Sequence, residues 1–163
     1  FSNTSDIQEN IGQQFFLIDL EDSTSLSPQL QLKKVSQWDD IHFTVGVDSA
    51  TQLKGAQGGD LDPMHGMYWS WRSGYINFKC EGISPICPSR NNAFSFHIGG
   101  FQSPFNTIQS VSLPVYSDTV VIQIDITPLF TLSSITQNYQ VMSPNAKAIT
   151  FANQFPSLFH SIP

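Results

Sequence analysis

Apolar and polar residues alternate in three separate stretches of this chain, and no other feature of the sequence constrains its fold as strongly. The apolar members are Ile41, Phe43, Val45 and Val47, then Phe94, Phe96 and Ile98, and then Val120, Ile122, Ile124 and Ile126. A period of two residues is the pattern of a β-strand with one buried face. The alternation therefore predicts strands at Asp40–Val47, Ala93–Ile98 and Thr119–Ile126.

Four further segments are rich in β-branched or aromatic residues and are bounded by Pro, Gly, Asn or Ser. These are Gln14–Leu20, Gln29–Trp38, Gly74–Cys80 and Thr107–Leu113. Seven strands in a chain of 163 residues indicate a mainly β protein, an antiparallel β-sandwich with one or two short helices. The length suits one domain over residues 1–163, with residues 1–12 as a mobile tail.

Helical signals occur at two places. Ser143 and Pro144 are a suitable N-cap and first residue for a helix that would end near Phe155, before Pro156. Asp62 and Pro63 predict a second helix, Asp62–Arg72.

Charge excludes one class of partner. The chain has 7 basic and 13 acidic residues, a net charge of −6, and its basic residues cluster only at Lys33-Lys34. Nucleic-acid binding lacks its usual electrostatic basis in such a chain. No apolar run reaches the roughly 18 residues of a membrane span.

Cys80 and Cys87 flank a short segment rich in turn residues. We expect them to form a disulfide that closes this loop, although two free buried thiols are the alternative. A disulfide would fit a protein of the cell surface or periplasm, or a secreted one.

The segment Gly58–Tyr75 concentrates methionine, tryptophan, histidine and aspartate. It can be interpreted as a loop and helix whose aromatic residues pack over one end of the sandwich. It can also be interpreted as a metal site. On the predicted helix His65 and Trp69 are four residues apart and share a face, and imidazole with the thioethers of Met64 and Met67 would suit copper, especially Cu(I).

A third ligand would have to come from elsewhere in the chain. His97, on the polar face of its predicted strand, is the best candidate, and His42 and His160 are rivals. Asp48, Asp60 and Asp62 could instead bind calcium, with capping and turn roles as the alternative.

The run from Leu61 to Gly82 resembles the signature of the MbnP-like copper-binding family of methane-oxidising bacteria, to which the C-terminal part of MopE also belongs. The matching pattern is H-G-M-Y-W-x-W-x-S-G-Y-I-N-x-K-x-E-G, and shorter matches extend the resemblance over residues 14–160. Within the family, the chain is most similar to a copper-repressible surface protein.

The resemblance implies that Trp69 is oxidised to kynurenine, and that this residue binds Cu(I) together with His65 and His97. It also implies a dihaem cytochrome partner of the peroxidase type that oxidises Trp69. Trp71, Met64 and Met67 would then only pack around the site, the two methionines as a hydrophobic shell.

Three functions follow as hypotheses. The first is a non-enzymatic protein of copper acquisition or homeostasis. The second is an extracellular carbohydrate-binding module whose exposed aromatic rings stack on sugars. The third is a metal-dependent enzyme, which the sequence favours least because it contains no recognisable general base or nucleophile motif.

Overall fold

The computed structural model describes residues 14–29, 39–70, 72–117, 119–132 and 135–163. Residues 1–36 and residues 37–163 form two compact units. The predicted tail at residues 1–12 and most of the strand predicted at Gln29–Trp38 lie outside the described residues. In the first unit a 3₁₀ helix spans Ser23–Leu26, and the strand predicted at Gln14–Leu20 is wrong, because no strand is assigned there.

Eight strands are found in the described part of the second unit: β1 (Asp40–Val45), β2 (Tyr68–Ser70), β3 (Gly74–Ile83), β4 (Ala93–Gly99), β5 (Gln109–Pro114), β6 (Val121–Ile124), β7 (Gln140–Val141) and β8 (Phe159–Ile162). Strands β2, β3, β4 and β7 form one sheet in that order, while β1 pairs with β5 and β6 with β8. Every pair is antiparallel except β4 with β7. The predicted mainly β, sandwich-like fold is confirmed.

The helices of this unit are short: α1 (Ser49–Gln52), α2 (Thr127–Leu132), α3 (Ile135–Asn138) and α4 (Ala146–Ala152). Single 3₁₀ turns lie at Gly59–Leu61, Pro63–His65, Arg90–Asn92 and Phe155–Leu158. The predicted C-terminal helix is confirmed as α4, but its N-cap is Asn145 rather than Ser143. The side-chain oxygen of Asn145 accepts a hydrogen bond from the backbone N–H of Ala148 at 3.0 Å.

The core lies between the apolar face of β4 and helix α4. Phe96 packs against Phe151 with ring centroids 4.6 Å apart, and Phe94 and Ile98 are buried on the same face of β4. The alternation predicted for this strand is confirmed. Burial of these large side chains is the main favourable contribution to folding.

The alternation predicted for Thr119–Ile126 is only partly correct. Ile122 and Ile126 are half-buried, but Ile124 is 42% exposed. The strand ends at Ile124, because Asp125 begins a turn in which its carboxylate accepts from the N–H of Thr127 at 2.9 Å. Beyond this turn the strand period no longer decides which residues are buried.

The predicted disulfide is wrong, because Cys80 and Cys87 are both free. Cys80 lies within β3, opposite Phe96, whereas the thiol of buried Cys87 donates to the carbonyl oxygen of Ala93 at 3.1 Å. The loop between them is closed by backbone hydrogen bonds, such as that from the N–H of Cys87 to the oxygen of Ser84. Burial raises the pKa of the Cys80 thiol, which disfavours the thiolate needed for disulfide formation.

One extra residue in β3 shifts its register against β4. Ile76 lies opposite Gly99, whereas Phe78 lies opposite Ile98, so Asn77 is the additional residue of a β-bulge. Bulges of this kind redirect the side chains that follow them.

Two side-chain amides hold the start of β3 against the end of β1. Gln52 accepts from the N–H of Tyr75 at 2.7 Å and donates to the carbonyl oxygen of Val47 at 3.2 Å. Asn77 accepts from the N–H of Val47 at 3.2 Å and donates to the hydroxyl of Thr107 at 3.0 Å. These amides take the place of backbone pairing where no strand ladder is present.

We expect Gln52→Leu to lower the free energy of unfolding by about 2–4 kcal/mol, because it leaves two buried backbone groups, at Tyr75 and Val47, without partners. Chemical denaturation would measure the change. The matched control is Gln102→Leu at an exposed position, which should alter stability by less than about 0.5 kcal/mol. Equal stabilities of the two variants would contradict the role assigned to Gln52.

Candidate metal centre

The segment between Gly58 and Tyr75 is mostly not helical, so the helix predicted at Asp62–Arg72 is wrong beyond its first turn. Asp62 caps this turn as expected, with its carboxylate accepting from the N–H of Met64 at 2.9 Å. The turn ends at Gly66, whose φ of 71° is left-handed and readily adopted only by glycine. The chain then enters β2, which pairs with β3. His65 and Trp69 therefore do not share a helix face.

Tyr75, at the start of β3, fixes the loop that leads to His65. Its hydroxyl accepts from the N–H of Gln57 at 2.8 Å and donates to the carbonyl oxygen of Leu61 at 2.9 Å. Its ring contacts that of Tyr68 edge-on, with centroids 4.8 Å apart. Burial is the main cause that raises the pKa of this hydroxyl. The loop is thus anchored to the sheet at two points.

His65 lies at the end of the 3₁₀ turn and is exposed. Its Nε2 lies 3.2 Å from the carbonyl oxygen of Gly59. A carbonyl oxygen can only accept, so Nε2 carries the proton of this hydrogen bond, and in the neutral ring Nδ1 keeps its lone pair.

His97 lies on the polar face of β4 and is buried. Its Nε2 is 2.9 Å from Oε1 of Glu81, and the other carboxylate oxygen is 3.6 Å from Nζ of Lys79. Lys79 is directly opposite His97 in the strand register. The hydrogen bond from His97 is the main cause that lowers the pKa of Glu81. The carboxylate is therefore an acceptor, and the neutral His97 ring again leaves Nδ1 with the lone pair.

Trp69 is half-buried in β2, and its six-membered ring lies over Gly99 of β4. A Cβ atom on Gly99 would lie 2.8 Å from Cζ3 of Trp69. Gly99 follows His97 by two residues on the same strand, so both positions face the same side of the sheet. The structure thus brings Trp69 and His97 to one face.

The loop of His65 borders this same face. A Cβ atom on Gly66, the next residue, would lie 3.8 Å from Nζ of Lys79. The two imidazoles make their hydrogen bonds to different partners, Gly59 and Glu81. The sheet thus carries Trp69 and His97, and a loop carries His65. Among the described residues His65, His97 and Glu81 do not form a group that could hold a metal ion.

The rival histidines lie on other sheets. His42 is exposed on β1 opposite Ser112, and His160 is exposed on β8 opposite Gln123. Within the described ranges, no three His, Cys, Asp or Glu side chains form a group that could hold a metal ion.

Two of the three aspartates proposed as calcium ligands cap a helix or a turn instead. Asp48 caps α1, accepting from the N–H of Thr51 at 3.0 Å, and Asp62 caps the turn before His65. Asp60 is exposed within its own 3₁₀ turn. The capping hydrogen bonds account for the presence of Asp48 and Asp62 in these loops.

The hydrophobic shell predicted for the methionines is wrong for Met64, which is 93% exposed. It projects from a surface turn, whereas Met67 is half-buried just before β2. Trp71, for which we expected a packing role, lies outside the described residues.

Sequence reasoning missed Glu81, Lys79 and Gly99. Alternation along β3 does separate Lys79 and Glu81 from the apolar Phe78, so their face could have been predicted. Their pairing with His97 depends on the register between two strands, which no local pattern encodes.

No membrane-crossing helix is present in the part of the chain that the structure describes, since none there has the required length and apolar character.

The chain matches the model of a known protein family. The model of the MbnP family matches residues 1–143, a range that includes His65, Trp69, Glu81 and His97. The match is to the family as a whole and does not single out the copper-repressible surface protein. No curated protein and no solved structure matches the chain.

We expect Gly99→Ala to displace the ring of Trp69 and to lower the free energy of unfolding by about 1–3 kcal/mol, because the added methyl group would lie 2.6 Å from the carbonyl oxygen of Tyr75 and 2.8 Å from Cζ3 of Trp69. Denaturation followed by tryptophan fluorescence would measure both effects. Gly58→Ala is the control, because its Cβ would meet open space and its φ of −97° suits any residue. Unchanged fluorescence and stability in Gly99→Ala would show that the ring does not lie against Gly99.

Proposed function

This chain belongs to the MbnP family and so has a copper-related function, and we propose that it binds Cu(I) through His65, His97 and a kynurenine formed from Trp69. The observation that carries the proposal is the shared sheet face of Trp69 and His97, with the loop of His65 at its border. The binding role is non-enzymatic and serves copper acquisition or homeostasis at the cell surface, in the periplasm or outside the cell.

The donor atoms suit copper. In both histidines Nε2 is engaged with an oxygen acceptor, which leaves Nδ1 of the neutral ring free to bind a metal. Imidazole is a common ligand of copper, and a hydrogen-bonded second ring nitrogen is usual among metal-binding histidines.

The third ligand requires a change in Trp69. An indole N–H is a donor only and offers no lone pair to a metal. Oxidative cleavage of the C2–C3 bond of the pyrrole ring adds two oxygen atoms and gives N-formylkynurenine. Hydrolysis then releases the formyl carbon as formate, so kynurenine has lost one carbon, gained one oxygen and exposes an aryl amine that can bind copper. The six-membered ring survives this reaction, and it is the part of Trp69 that lies over Gly99. We propose that a dihaem cytochrome of the peroxidase type supplies the oxidant.

The carbohydrate-binding alternative receives less support. Stacking on a sugar requires an aromatic face in solvent, whereas Tyr75 is buried and Tyr68 and Trp69 are half-buried. A catalytic role is also less well supported, because the carboxylate that contacts His97, that of Glu81, is already paired with His97 and Lys79. The proposal does not include calcium, because Asp48 and Asp62 are engaged as caps.

The modification can be read from one peptide. Trypsin cleaves after Lys54 and Arg72 and releases Gly55–Arg72, which contains Trp69 and Trp71. In protein from its natural host, we expect a mass change equal to the loss of one carbon and the gain of one oxygen, located at Trp69 by fragmentation. An unmodified Trp69 in that protein would refute kynurenine as the third ligand.

Copper binding should depend on Trp69 and not on Trp71. We expect Trp69→Phe, produced in the same host, to lose copper during dialysis while it stays folded, because no aryl amine can form. Trp71→Phe, the matched control, should keep its copper. Metal analysis after dialysis measures both, and equal copper content in the two variants would contradict the proposed ligand.

A further inference from the structure

The side chains of Lys79, Glu81 and His97 form a continuous polar chain on the face of the sheet that carries Trp69. Lys79 and Glu81 are two residues apart on β3 and so face the same side. Lys79 pairs with His97 across the strands, and Glu81 is the diagonal neighbour of His97. Two adjacent strands therefore fix the positions of all three groups.

The hydrogen-bonded side chains differ in burial, and the difference restrains the imidazole of His97. The side chain of His97 is 11% exposed, whereas that of Glu81 is 51% exposed. The hydrogen bond between them, 2.9 Å from Nε2 to Oε1, thus binds a buried ring to a carboxylate at the surface. Rotation of the ring would break this bond where little water is available to replace it.

The carboxylate is restrained in turn. One oxygen accepts from His97, and the other lies 3.6 Å from the ammonium group of Lys79. A carboxylate with both oxygens engaged presents a fixed acceptor to the ring, so the ring nitrogen that faces it must be the one bearing hydrogen.

We propose that Glu81 is a positioning residue for the metal centre, which keeps His97 in the tautomer protonated on Nε2 and so presents Nδ1 as the ligand. This inference rests on the proposed function, because it assigns the way in which one of the copper ligands is oriented. Carboxylates that accept a hydrogen bond from a metal-binding histidine fix the tautomer and orientation of the ring, and their loss typically lowers metal affinity 10–100-fold.

The first test needs no copper. In copper-free wild-type protein labelled with ¹⁵N in histidine, we expect NMR to show His97 protonated on Nε2. Glu81→Ala should give a mixture of tautomers at His97. Glu81→Gln should keep the wild-type tautomer, because its amide oxygen can accept the same hydrogen bond. A purely structural role of Glu81 would leave the tautomer of a folded variant unchanged, and that result would overturn the proposal.

The second test measures Cu(I) affinity by competition with a chelator, using protein in which Trp69 has been oxidised. Glu81→Ala should bind 10–100-fold more weakly than wild type. The Cu(I) affinity of Glu81→Gln should stay within about fivefold of the wild-type affinity, since the glutamine oxygen can still accept the hydrogen bond from His97. Glu21→Ala removes the same charge at an exposed position in the other unit and serves as the control, with wild-type affinity expected.

The outcomes separate the two proposals. Wild-type protein that binds no Cu(I) would overturn the proposed function and with it the metal role of Glu81. Wild-type protein that binds Cu(I), with Glu81→Ala equal to Glu21→Ala, would overturn the positioning role alone. If Glu81→Ala fails to fold, Glu81→Gln with a changed His97 tautomer and lost affinity would also contradict the role assigned to the hydrogen bond.

Discussion

The antiparallel pairing of β3 with β4 is the interaction on which the rest of this structure depends. It places Phe96 and Ile98 in the core with α4 and, on the opposite face, sets His97 against Lys79 and beside Glu81. The same ladder therefore organises both the hydrophobic core and the candidate metal centre. Hydrogen bonds between two strands specify the arrangement of side chains more strictly than a loop can, because each residue has one partner.

The loop in front of this sheet gains its order from side chains rather than from secondary structure. The hydroxyl of Tyr75 makes hydrogen bonds to the loop backbone at Gln57 and Leu61. Gln52 in turn makes a hydrogen bond to the backbone N–H of Tyr75. The order of the loop that carries His65 thus derives from the same strand that carries Glu81. This dependence explains why so short a segment, with only single 3₁₀ turns, can have a defined geometry.

Local patterns in the sequence predicted what local physics determines. Alternation predicted β1, β4 and the polar placement of His97, and the Asp-Pro pair correctly marked a capped turn at Asp62. The helix expected after that turn does not form, because Gly66 ends it and strand pairing orders the residues beyond. The disulfide prediction was wrong because the strand predicted to end at Cys80 continues to Ile83, which places Cys80 opposite Phe96 within the sheet and not at the start of the loop. Glu81 could not be predicted as a partner of His97 without the register.

The bulge at Asn77 aligns the apolar–polar alternation of β3 with that of β4. Before it, Ile76 lies opposite Gly99; after it, Phe78 lies opposite Ile98 and Lys79 opposite His97. If the pairing of Ile76 continued without the extra residue, His97 would meet Phe78, and Lys79 would meet the core residue Phe96. A single inserted residue in β3 thus shifts the register by one position. After it, apolar residues of β3 lie opposite apolar residues of β4, and charged residues lie opposite polar ones.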